Sequence, residues 1–89
     1  MFEWDEEKRT RNLQKHGIDF VDAKEVWTRY HFELPSRQST HGEDRRLAIG
    51  ELDGRIVTVV FTLRGDTRRL ISARYARRKE KEAYADGSG

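Results

Sequence analysis

The dipeptide Asp53-Gly54 and the run behind it, Arg55 to Leu63 (RIVTVVFTL), constrain this chain more than any other feature. Asp-Gly is a strong signal for a two-residue hairpin turn, because both positions need left-handed backbone. The β-branched run after it reads as a central strand. The segment ahead of the turn, Arg45 to Leu52, is then its antiparallel partner. Gly65-Asp66 can make a second tight turn and return Leu70 to Ala73 as another strand. His31 to Leu34 supplies a short edge strand before Pro35. In 89 residues such a meander leaves room for one domain with one modest core.

The N-terminal part carries helix signals instead. Asp5 can cap a helix over about residues 6–16, with Glu6 and Glu7 in its first turn and Gly17 behind Lys15-His16 as its terminator. Asp19 can cap a second helix over about 20–29, with Phe20, Ala23, Val26, Trp27 and Tyr30 on its apolar face. The first helix has little apolar surface beyond Leu13, so its docking should lean on Phe2, Trp4 and Ile18. A last helix runs from about Arg77 to Tyr84. The expected fold is α+β: two N-terminal helices packed on a four-stranded antiparallel sheet, with a short C-terminal helix. Residues 1–86 form a single domain, and 87–89 a flexible tail.

Charge is uneven. Residues 1–53 carry nine Lys/Arg against twelve Asp/Glu, whereas 54–89 carry nine against four. A basic C-terminal third points to a polyanionic partner, although a solvated surface would also account for it. No cysteine is present, which excludes disulfides and thiol nucleophiles and suits a reducing, cytoplasmic setting. No apolar run is long enough to span a membrane, and the first residues do not read as a targeting signal.

Two-residue turns dictate strand register. Arg45 should face Thr62, and Thr62 should face Arg69, with Arg64 one pleat further on the same face. Clustered like charges are costly unless an anion sits between them. Arg45, Arg64 and Arg69 around Thr62 therefore make a candidate phosphate cradle. The same register places Arg46, Arg68 and Arg74 on the opposite face, and a single bulge would exchange the two sets. Arg77, Arg78 and Lys79 open the last helix, where the dipole disfavours cations; this suggests an anion site at the helix start. Solvated strand ends and an exposed turn are the plain alternatives.

His16, His41 and His31 lack close metal spacing, and the glycines form no phosphate loop, so no cofactor is expected. RNA can be cut by its own 2′-hydroxyl if the protein moves protons and neutralises developing charge. His16, His41 and Glu43 are the candidate proton carriers. His16 ends a helix, where the dipole should favour its charged form, and Lys8 and Asn12 share its face at i, i+4 spacing. A histidine that merely ties down a loop remains an alternative reading.

These pieces resemble the BrnT family of toxins. Phe2-Glu3-Trp4-Asp5, Lys8, Asn12 and Lys15-His16-Gly17-Ile18-x-Phe20 match its opening. Gly42-Glu43-Asp44-Arg45, Ile49-Gly50, Gly54-Arg55, Thr62-x-Arg64, Ile71-Ser72-Ala73-Arg74 and a Glu80…Tyr84 ending follow in order. Asp44 stands where a second Glu is usual, Trp27 where Phe is common, and Arg69-Leu70 where Arg-Ile is usual. The resemblance implies a RelE-like ribonuclease of a bacterial type II toxin–antitoxin pair that inhibits translation. It also implies neutralisation by a BrnA-type ribbon-helix-helix antitoxin in a 2:2 hetero-oligomer, which binds operator DNA through the antitoxin. Arg64, Arg74 and Tyr84 become attractive as catalytic groups beside His16 and Glu43, with Lys8, Arg45, Arg69, Arg77 and Arg78 as RNA-binding groups. A non-catalytic nucleic-acid-binding module, or a protein-interaction domain whose sheet face a partner covers, would use many of the same residues.

Overall fold

The computed structural model describes residues 1–36 and 44–88. Its elements are β1 (Phe2–Glu3), α1 (Glu6–His16), α2 (Phe20–Ala23) running into a 3-10 turn (Lys24–Thr28), β2 (His31–Pro35), β3 (Arg45–Leu52), β4 (Arg55–Arg64), β5 (Thr67–Tyr75) and α3 (Arg78–Ser88). The strands form one sheet in the order β1-β5-β4-β3-β2.

The Asp53-Gly54 turn forms as its chemistry requires, with φ of 51° and 79° at the two residues. It sets the β3–β4 register, so that Arg45 faces Thr62 and Ala48 faces Val59. On the other side of β4, Thr62 faces Arg69 and Arg64 faces Thr67, again as expected. The register then shifts between Val60 and Phe61: Phe61 faces Leu70, but Val60 faces Ser72. Ile71 is the extra residue of a bulge, and from Ser72 onward the strand presents the opposite faces. Arg74, expected on the face of Arg46 and Arg68, therefore stands opposite Thr58, on the face of Arg45.

Five strands replace the expected four. Phe2 and Glu3 pair in parallel with Arg68 and Arg69, and the Arg68 amide donates to the Met1 carbonyl at 2.8 Å. Two residues are too few to show an alternating pattern, which is why this strand has no sequence signature. β2 is the expected edge strand. α3 starts one residue later than expected and continues to Ser88, past the boundary drawn at 86.

One face of the sheet is sealed by α1, α2 and the 3-10 turn. Val57, Val59, Phe61, Leu70 and Ala73 are buried against Phe20, Ala23 and Val26. Trp27 packs edge-on to Phe61 with ring centroids 5.1 Å apart, a favoured aromatic arrangement. Gly50 leaves room for the 3-10 turn against the sheet. A Cβ there would lie 2.9 Å from Val26 Cγ1 and 3.1 Å from His31 Cβ. Gly50→Ala should overpack this seam and cost about 1–3 kcal/mol, visible as a lowered thermal midpoint.

As expected, Ile18 is buried in the core, and Phe2 and Trp4 pack against it at the other end of α1. Leu13 is largely exposed. Buried Asn12 holds the helix instead. Its amide donates to the Ile18 carbonyl at 2.9 Å and the Ala73 carbonyl at 2.8 Å, and its oxygen accepts from the Ala73 amide at 3.0 Å. Arg9 adds a two-pronged pair to Asp19, at 2.8 and 3.1 Å. Asp19 and Asp5 are the expected N-caps.

Candidate RNA-cleaving site

The described residues cover the second sheet face only in part. α3 lies over the β2–β3 side, where Ile49 and Thr58 are buried. Beside it the described residues line a cleft of about 590 Å³. Its floor comes from β3, β4 and β5: Arg45, Leu47, Val60, Ile71, Ser72 and Arg74. Its walls are the end of α1 (Lys15, His16), the start of α3 (Arg77, Glu80) and the end of β2 (Leu34, Pro35, Ser36). A second hollow of about 270 Å³ shares Lys15, His16, Ile71 and Ser72 with it and extends along α1 past Asn12, Arg11 and Lys8. Lys8, Arg11 and Lys15 follow one another at helical spacing, so cations continue out of the cleft along one helix face.

The β5 bulge builds this site. Without the extra residue Ile71, Arg74 would point into the sealed core face. With it, Arg74 joins Arg45 on the open face, and the two bracket Val60 and Ser72.

Arg74 is held by Glu80 in a fork-to-fork pair, Nη1 to Oε1 at 2.8 Å and Nη2 to Oε2 at 2.9 Å. Glu80 Oε1 also accepts from the Arg77 amide at 2.8 Å and from Thr58 Oγ1 at 2.9 Å. Burial alone would raise the Glu80 carboxyl. The hydrogen bonds from Arg74, the Arg77 amide and Thr58 outweigh it and hold the group down at about 2. Part of the anion site expected at the start of α3 is thus occupied from within, by the carboxylate three residues into the helix.

His16 shows the opposite balance from the one its helix position suggested. Burial lowers its pKa from the ordinary value of 6.5, and the charges of Lys15 and Arg74 lower it further. These surroundings work against the charged form that the helix position suggested and favour the neutral imidazole, which has a lone pair to offer.

The remaining expected residues are dispersed. Arg69 faces Glu3 and pairs with it at 2.6 Å, away from the cleft lining. Arg64 is exposed at the Gly65-Asp66 turn. Tyr84 packs its ring on Tyr30 at 5.4 Å and does not line the cleft. Arg78 is exposed and pairs with Glu82. Glu43 and His41 lie outside the described residues. Sequence reasoning did not single out Lys15, Ser72 or Glu80 as site residues. For Glu80 a signal existed, since a Glu three residues past Arg77 has capping-box spacing. Among the described residues, no three His, Cys, Asp or Glu side chains converge as metal ligands, and no helix is long and apolar enough to cross a membrane.

Comparison with known proteins decides the family. A family model described as the ribonuclease toxin BrnT of type II toxin–antitoxin systems matches residues 4–80. The chain belongs to the BrnT family. The crystal structure of the Brucella abortus ribonuclease toxin BrnT is similar at 35% identity and a TM-score of 0.63, covering 88% of this chain and 99% of that one. No curated protein sequence matches the chain. As a BrnT-family ribonuclease toxin, it has RNA as its target and an antitoxin as its partner.

Proposed function

We propose that this BrnT-family toxin cleaves RNA in the cleft between α1, β5 and α3 by 2′-hydroxyl attack, without a metal ion. The observation that carries this reading is His16, with its charged form disfavoured, at the edge of a cleft lined by Arg45, Arg74 and Arg77. Those arginines suit the scissile phosphate and the charge that grows on it, because forked N–H donors match phosphate oxygens. His16 would accept the 2′-hydroxyl proton. A pKa held below its ordinary value keeps the imidazole in its base form at neutral pH, the form that can take this proton. Among the described residues Glu80 is the one carboxylate in the cleft lining; it is already committed to four hydrogen bonds and is too acidic to compete for that proton.

Lys8, Arg11 and Lys15 would meet phosphates outside the cleft. Arg64, Arg69, Arg78 and Tyr84 stand away from the cleft lining and are assigned no catalytic part in this reading. RNA cleavage in the cytoplasm would stop translation, and a BrnA-type antitoxin is the expected neutralising partner.

Product ends test the chemistry. Purified toxin incubated with RNA in EDTA should leave 2′,3′-cyclic phosphate on the upstream fragment and 5′-hydroxyl on the downstream one. A 3′-hydroxyl product, or loss of cleavage in EDTA, would sink the proposal.

A further inference from the structure

We propose that Glu80 is a positioning residue for RNA cleavage, clamping the outer fork of Arg74 so that its inner edge is the one offered to phosphate. This rests on the reading that Arg74 contacts the scissile phosphate.

A guanidinium has two edges that can grip an oxyanion in bidentate fashion: the pair of terminal nitrogens, and the edge made by Nε and one terminal nitrogen. In this structure Glu80 takes the first, with Nη1 on one carboxylate oxygen and Nη2 on the other. Nη1 also reaches the Tyr75 carbonyl at 3.4 Å. Among the described residues Nε–H has no acceptor, and Arg74 lines the cleft. The remaining edge is therefore the one a phosphate can use.

Glu80 can act as a clamp because it is itself held. Thr58, fully buried on β4, donates its hydroxyl from below, and the Arg77 amide donates from the helix start. One carboxylate thus joins β4, β5 and α3 at the cleft. Arginine loses considerable rotamer freedom when it is held in one geometry, and Glu80 imposes that loss before RNA arrives. The ion pair also removes one positive charge from the cleft, so the clamp costs some phosphate affinity. Its benefit must then appear in the chemical step rather than in binding, since only interactions that improve in the transition state raise kcat.

Cleavage by the full chain of wild type, Glu80→Gln, Thr58→Val, Arg74→Ala and the Arg74→Ala/Glu80→Gln double variant decides the matter. Each is assayed below its melting temperature, with folding checked by circular dichroism. Glu80→Gln should lower kcat on the order of 10–100-fold, the scale of misplacing one catalytic contact, with KM unchanged or lower. Thr58→Val should lower kcat in the same direction by a smaller factor, and serves as the test if Glu80→Gln does not fold. Added guanidinium, well below denaturing concentrations, should restore part of the activity of Arg74→Ala. It should not restore the double variant, which lacks the carboxylate that seats it. A folded Glu80→Gln with wild-type kcat, or equal guanidinium rescue of the single and double variants, would overturn the clamp while leaving Arg74 in place. Full activity of Arg74→Ala would overturn the underlying reading as well.

Discussion

His16→Ala is expected to lower the cleavage rate about 10²–10⁴-fold, the usual contribution of a positioned general base. The fold should survive, because the helix ending there is secured by other contacts: the Gly17 amide bonds the Leu13 carbonyl at 2.9 Å, and Asn12 anchors the turn before it. The pH profile gives the sharper test. Burial, Lys15 and Arg74 all hold the His16 pKa below 6.5. In the proposed general-base role the active form is the neutral one, so wild-type kcat should be level at neutral pH and fall as pH drops through that lowered value. The same shift has a stability consequence of the same sign: its contribution is present above 6.5 and is lost as pH falls through the folded-state value. In His16→Ala the acid limb of the rate profile should disappear along with most of the rate. A variant that keeps both would place the base elsewhere.

How this site relates to the sequence follows from the range of each signal. The two hairpin turns are local chemistry, and they placed Arg45, Thr62 and Arg69 in one row as expected. The β5 bulge is not local chemistry. Ile71 and Ser72 carry no residue type that demands an extra unpaired position, so Arg74 was assigned to the wrong face. β1 was invisible for a related reason, as it pairs with Arg68 and Arg69, 66 residues away in sequence. His16, a candidate proton carrier in the sequence, lines the cleft, but its surroundings disfavour the charged form that its helix position suggested. The helix dipole is readable from sequence, whereas the burial and the Arg74 charge that oppose it depend on the completed sheet. Arg69 shows the converse. It occupies its expected row, yet the unforeseen strand brings Glu3 to neutralise it.

Asn12→Ala should reduce stability by about 2–4 kcal/mol and lower kcat beyond what the folded fraction explains. Three hydrogen bonds are lost at a residue only 6% exposed, and the Ala73 amide, the Ala73 carbonyl and the Ile18 carbonyl are left unpaired. Each unsatisfied buried group costs about 1–3 kcal/mol, offset where water can enter the space. The functional effect comes from where those bonds lie. Ala73 immediately precedes Arg74, and His16 is one helical turn beyond Asn12, so this one side chain fixes the helix carrying His16 against the strand carrying Arg74. Asn12→Asp separates the contributions. It can still accept from the Ala73 amide, but it turns a carboxylate oxygen toward two carbonyl oxygens. Its folded-state pKa must therefore rise, and the penalty relative to wild type should grow as pH climbs from the unfolded carboxylate value of about 4 and level off above the folded one. Chemical denaturation across that range measures the penalty, and single-turnover cleavage on the folded protein measures the misplacement. If Asn12→Ala melts early yet cleaves at the wild-type rate when folded, Asn12 only stabilises the domain, and another contact sets the spacing between His16 and Arg74.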